Sequence, residues 1–347
     1  MRPATIPRTM TDEPLISRFD ALLCDLDGVV YAGPDAIDGG PESLNRAVET
    51  GVPVMYVTNN ASRPPAAVAE HISELGAPTQ ESNVASSAQA AAKLLAGRLP
   101  EKAKVLITGA QALADEISAV GLTPVWSQSE EPVAVVQGFN PKLGWEQLAE
   151  AAYTLADESV LWCATNTDLT IPKERGIAPG NGTLVAAVAA ATGREPIVAG
   201  KPQAPVFLEA AERANSQRPV VVGDRLDTDI RGAHAAGMES IEVFTGVDTP
   251  ETVLRACDQE RPTYLLGNLR ELFEAYPDPQ VSREDNSDQE VTATCRDAIA
   301  VARDNGVRIQ APENSLDGWR AACAAWWALH PDAETPTDPE VTWEAAR

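Results

Sequence analysis

Two carboxylates stand two residues apart where an apolar run, Ala21 to Cys24, breaks into Asp25-Leu26-Asp27-Gly28-Val29. In an extended segment residues i and i+2 point the same way, so Asp25 and Asp27 can converge on one ligand, and Gly28 permits a sharp turn away from it. By itself such a pattern is as readily a surface turn. Three further polar segments accompany it at the ends of apolar runs: Thr58-Asn59-Asn60 after Val52 to Val57, Gly200-Lys201-Pro202 after Pro196 to Ala199, and Gly223-Asp224 through Asp229 after Pro219 to Val222. The chain contains only six lysines, so Lys201 beside Gly200 is not drawn from a lysine-rich background.

These segments need a scaffold that brings strand ends together. The apolar runs read as buried parallel strands. Leu44 and Val48 at helical spacing before Gly51, and the stretch Val206 to Ala214, supply the crossover helices. The expected fold is α/β with a doubly wound parallel sheet, in which ligands bind at the carboxyl ends of the strands. The interval from Thr58 to Lys201 is far longer than one crossover needs, and its own alternation of helix and strand predicts an inserted α/β domain over 84–195. The remaining expected boundaries are a flexible N-terminus over 1–17, a core over 18–83 and 196–276, a linker over 277–290 and a small module over 291–347. In that module Val291, Cys295, Ala298 and Ala302 predict one helix, and Leu316, Trp319, Cys323, Trp326 and Trp327 a second.

Composition narrows the chemistry. With 51 acidic against 27 basic residues and a formal charge of −24, the chain repels nucleic acid and anionic membranes, so neither is expected as a partner. An anionic substrate would need strong local compensation from a metal, a lysine or backbone N–H groups. Five cysteines without a C-x-x-C pair indicate neither a disulfide framework nor structural zinc. The longest apolar run, Leu184 to Ala191, is too short to span a bilayer, and the expected location is cytoplasmic. Gly193 to Lys201 fails the P-loop pattern at Glu195 and Pro202, and Gly180-Asn181-Gly182 lacks the third glycine of a dinucleotide fingerprint.

Together the four segments resemble, in order, the four motifs of the haloacid dehalogenase (HAD) superfamily. The large insert between the second and third is similar to the p-nitrophenylphosphatase-like subclass, IIA, and most like its glycerol 3-phosphate branch. The resemblance implies a Mg²⁺-dependent phosphoric monoester hydrolase. Asp25 would be the nucleophile that forms an aspartyl phosphate, and Asp27 the acid and base. Thr58, Asn59 and Lys201 would bind phosphate. Asp25, Asp27 through its backbone carbonyl, and Asp224 would hold the metal, with Asp229 orienting a metal-bound water or Lys201 behind them. Asn60, Arg63, Asn166 and Asp168 are weaker candidates for holding the rest of the substrate. Asn140, in Gly138-Phe139-Asn140-Pro141, stands where relatives often carry Asp.

The implied partner is a small phosphorylated metabolite, glycerol 3-phosphate first, with pyridoxal phosphate, phosphoglycolate or a nucleoside monophosphate as alternatives. A homodimer through the insert is implied as well. An alternative of another class is a binding or scaffold protein that kept the fold without the activity. Thr292 to Ile309 resembles a degenerate acetyltransferase fragment, because Arg303 to Arg308 ends in Arg where the CoA-binding loop needs Gly or Ala.

Overall fold

The computed structural model describes residues 12–173, 175–283 and 290–345. Its centre is a six-stranded, wholly parallel sheet in the order Tyr264–Leu266, Glu239–Val243, Pro219–Gly223, Ala21–Cys24, Val54–Thr58, Val84–Ser86. The apolar runs at Ala21–Cys24 and Val54–Thr58 are buried throughout, as strands covered on both faces must be. One face packs on Leu15, Phe19, Leu44 and Ile72, and the other on Ala91, Leu95, Phe207 and Ala210. Ala21–Cys24 therefore lies in the middle of the sheet, and the residues after it share one rim with those after its two neighbours.

The insert carries a second parallel sheet in the order Ile197–Val198, Leu161–Ala164, Ala134–Gln137, Lys104–Thr108, Thr123–Val125. Two expectations change here. Val84–Ser86 pairs with Val54–Thr58, so the core sheet continues past the expected boundary at residue 84. Ile197–Val198, expected as a core strand before Lys201, instead pairs with Leu161–Ala164 as the edge of the insert sheet. Hydrophobicity marks a strand without marking its neighbours, which is why both boundaries were displaced. Lys201 thus lies on the chain's return from insert to core.

The N-terminal and C-terminal expectations need correction too. Residues 1–11 lie outside the described residues, but Leu15 and Ile16, expected within a flexible segment, are buried in a short 3₁₀ helix, Leu15–Arg18. Of the expected linker, 284–289 lies outside the described residues, while Gln280–Ser282 is an edge strand. The predicted helix over Val291 to Ala302 is a hairpin, Glu290–Cys295 paired with Ala298–Arg303. Val291 faces Ala302 and Cys295 faces Ala298 across the ladder, so the four share a face as they would on a helix. The burial of Ala293 and Ala300 between them reveals the period of two, and Arg296, at φ 49°, begins the turn.

Gly306–Gln310 and Glu340–Glu344 complete this sheet, and the helix Leu316–Leu329 covers one face of it, as expected for the second stripe. Residues Arg303 to Arg308 span a tight turn between antiparallel strands, with no helix following that could present N–H groups to a pyrophosphate.

Candidate active site

Three adjacent strands of the central sheet deliver the acidic and hydroxyl groups. Asp25 follows the central strand, Asp224 follows Pro219–Gly223, and Thr58 closes Val54–Thr58. Asp229 reaches the same place from a π-helical turn, Leu226–Ile230, a geometry concentrated at functional sites. Carboxylate oxygens of Asp25, Asp224 and Asp229 lie within 4.8 Å of one another. The Lys201 ammonium donates to Asp25 Oδ1 at 2.6 Å and to Asp229 Oδ1 at 2.7 Å.

Charge balance at this cluster is uneven. Burial works against a charged Lys201, yet the paired Asp229 and Asp25 outweigh it and hold its pKa above the ordinary value. Asp224 is pushed up to about 6 by burial and by the negative charge of Asp25. Burial also raises Asp229, with Lys201 opposing. Asp27 keeps access to solvent, but partial desolvation of its carboxyl and the nearby Asp25 raise its pKa, which suits a group that must give up a proton to a leaving group.

A divalent cation fits these residues. Three clustered carboxylates face one ammonium, which leaves a negative excess in a partly dry site. Asp224 Oδ2 accepts from the Val247 N–H at 2.8 Å, whereas its Oδ1 is buried without a hydrogen-bonding partner. The backbone is drawn closely around that carboxylate: a Cβ added at Gly28 or Gly246 would overlap it. Gly28 also has φ +80°, the left-handed region. Hard oxygen donors with room for water suit Mg²⁺. Asp27 contributes no side-chain oxygen to the carboxylate group.

The second motif joins the core to the insert. Asn59 Oδ1 accepts the Lys201 N–H at 2.8 Å, and Asn59 Nδ2 donates to Asp168 Oδ2 at 3.1 Å and to the Lys201 carbonyl at 3.2 Å. The Asn59 carbonyl accepts from Asn166 Nδ2 at 2.7 Å and from Ser87 Oγ at 2.8 Å. Burial raises the pKa of Asp168, with the Asn59 hydrogen bond opposing. Asn166 and Asp168 thus sit at the rim of the cluster, where they also tie the insert down. Thr58 Oγ1 accepts the Asn60 N–H at 3.1 Å, which leaves its own hydrogen to donate.

The weaker candidates lie further out. Asn60 Oδ1 is engaged by Ser62, and Arg63 is exposed. Asn140 donates to the Gly109 carbonyl at 2.9 Å and braces two loops of the insert. Asp227 is exposed and paired with Arg225. Sequence reasoning missed Ser87 and the segment Thr245 to Asp248. Thr245 Oγ1 donates to the Gly28 carbonyl at 2.6 Å, and Asp248 Oδ2 accepts the Leu226 N–H at 2.8 Å. Their only signal was position, since the segment follows the next parallel strand of the same sheet.

Comparison with known proteins places the chain among phosphatases. Residues 22–123 match the haloacid dehalogenase-like hydrolase family, and 198–272 match the HAD-hydrolase-like family. A D-glycerol 3-phosphate phosphatase of Mycobacterium tuberculosis is 48% identical over 260 residues, 75% of this chain and 72% of that protein. An acid sugar phosphatase of Staphylococcus saprophyticus is 34% identical over 74% of this chain and 98% of its own. Among solved structures, a glycerol phosphate phosphatase from M. tuberculosis in complex with magnesium superimposes with a TM-score of 0.81 at 39% identity, covering 96% of both chains. A p-nitrophenyl phosphatase from Archaeoglobus fulgidus gives 0.67 at 30% identity, covering 74% of this chain and 98% of its own.

Proposed function

This chain belongs to the haloacid dehalogenase-like hydrolase family, in its p-nitrophenylphosphatase-like subclass, and from that premise we propose that it is a glycerol 3-phosphate phosphatase working through Asp25. The hydrolysis of a small phosphate monoester with Mg²⁺ follows from the family. Its naming of the ester is supported by likeness to the mycobacterial enzymes along nearly the whole chain. The observation that carries the chemistry is the Lys201 bridge between Asp25 and Asp229 beside the half-unpartnered Asp224.

In this reading the Asp25 carboxylate, held in place by the Lys201 ammonium, attacks phosphorus in line with the ester oxygen. The Asp27 carboxyl protonates the departing alkoxide, then removes a proton from the water that cleaves the aspartyl phosphate. Thr58 Oγ1, the Asn59 backbone N–H and Lys201 Nζ receive the phosphoryl oxygens. Asp25, Asp224 and the Asp27 carbonyl would hold Mg²⁺, which when bound would neutralise charge building on the phosphoryl oxygens. Asp229 fixes Lys201. Asn60, Arg63, Asn166 and Asp168 face the remainder of the substrate.

A cytoplasmic setting belongs to the same reading, supported by five buried, unpaired cysteines; no helix among the described residues is long and apolar enough to cross a membrane. The homodimer through the insert is supported by Trp145 and Tyr153, large side chains exposed on the insert helix Trp145–Leu155. The scaffold alternative gains nothing from a site that retains every reacting group.

Phosphate release should be measured from glycerol 3-phosphate, phosphoglycolate, pyridoxal phosphate, sugar phosphates and nucleoside monophosphates, with Mg²⁺ or EDTA. Glycerol 3-phosphate is expected to be preferred, and EDTA and Asp25→Asn to lower turnover by about 10⁴-fold or more. Preference for another ester would overturn the substrate assignment, and turnover by Asp25→Asn would overturn the nucleophile.

A further inference from the structure

The C-terminal module grips the element that carries the missed segment. The helix Pro250–Arg255 is short and ends with carbonyls that have no partner inside it. Two of them are taken by the module: Trp327 Nε1 donates to the Leu254 carbonyl at 3.2 Å, and the Thr337 N–H donates to the Arg255 carbonyl at 2.9 Å. Arg261 Nη2 donates to the His330 carbonyl at 2.7 Å, and its guanidinium lies over the Trp327 ring. Val253 and Leu254 are buried in one apolar cluster with Trp319, Trp326, Leu226 and Ile230, so the module's core also packs under the π-helical turn that bears Asp229.

At its other end the same helix begins after Thr249, immediately beyond the segment that surrounds Asp224. Val247 gives its N–H to the carboxylate, and the Asp248 N–H goes to the Asp224 carbonyl at 3.0 Å. Asp248 Oδ2 caps Leu226 at the start of the π-helical turn, and Thr245 ties the segment to Gly28. Displacement of the helix by a fraction of an ångström would move the N–H that orients Asp224. Contacts behind a ligating carboxylate orient it and so tune its affinity for the metal.

We propose that the C-terminal module is a positioning device for the metal site, in which Trp327 holds the helix Pro250–Arg255 so that the Thr245–Asp248 segment fixes the Asp224 carboxylate. The inference rests on the assignment of Asp224 to the metal. By linkage, Mg²⁺ binding and docking of the module reinforce each other.

The test is calorimetric titration of the full-length protein with Mg²⁺ alone, using wild type, Trp327→Phe, Asp224→Asn and Val307→Ala. Trp327→Phe removes the indole donor and keeps an aromatic ring. It is expected to weaken Mg²⁺ binding by about three- to tenfold, and excess Mg²⁺ is expected to restore turnover. Val307→Ala thins the module's core away from this contact; it should lower the melting temperature and leave Mg²⁺ affinity unchanged. Equal affinities for Trp327→Phe and wild type would overturn the inference, as would equal weakening in both module variants. Wild-type Mg²⁺ binding by Asp224→Asn would show instead that the metal assignment had failed, and the inference with it.

Discussion

Asn59 illustrates how much one side chain of this site is asked to do. Its amide accepts from the Lys201 backbone and donates to Asp168, while its carbonyl holds Asn166. Replacement by Ala leaves the Lys201 N–H and the partly buried Asp168 without their partner, at a cost of about 1–3 kcal/mol. Asn59→Ala is therefore expected to lower the denaturant midpoint by that amount and to reduce kcat/KM, since Lys201 and the insert lose a shared reference point. A wild-type midpoint and wild-type kinetics would remove Asn59 from this role. The acidic residues were legible from sequence because chemistry restricts their type. The bridging function of Asn59 was not, because nothing in the chain between Thr58 and Lys201 records that the two ends meet.

At the level of elements, the loops behind the site constrain it as tightly as the strands before it. The Thr245–Asp248 segment is pressed against Asp224 so closely that position 246 has no room for a side chain. Gly246→Ala should force either the carboxylate or the loop aside, and Mg²⁺ affinity measured by titration is expected to fall by about tenfold, with the fold retained by circular dichroism. Unchanged affinity would mean that the loop gives way and that Asp224 is fixed from elsewhere. Strand identity was readable at Ala21–Cys24, Val54–Thr58 and Pro219–Gly223, where an apolar run is bounded by polar turns. Sheet membership was not, as Ile197–Val198 and Val84–Ser86 show, because pairing is set by what lies alongside in space. The C-terminal hairpin was mistaken for a helix for a related reason: four residues that share one face satisfy both periods.

Over the whole molecule, the three larger sheets are joined by buried contacts, and the C-terminal module is attached to the core by polar contacts as well as apolar ones. Arg320 is buried at the junction, donating to the Leu265 carbonyl of the core's edge strand at 2.7 Å and pairing with Glu271 and Asp317 at 2.7 Å each. Arg320→Ala is expected to destabilise the protein by about 3 kcal/mol, because it strands an edge carbonyl, takes the cation from Glu271 and leaves Asp317 with Arg296 as its cation. Chemical denaturation would read this as a lower midpoint, and an unchanged one would show that the apolar contacts alone hold the module. The sequence by itself determined the α/β class, the presence of an insert and the family resemblance, and it singled out Asp25, Asp27, Thr58, Lys201, Asp224 and Asp229 as candidates, since phosphoryl chemistry admits few residue types at strand ends. Only the tertiary structure decided that Asp229 stands within reach of Asp25 and Asp224, that Asn59 joins core to insert, and that the tail supports the loop around Asp224. Those relations depend on long-range packing, which residue type and local spacing do not encode.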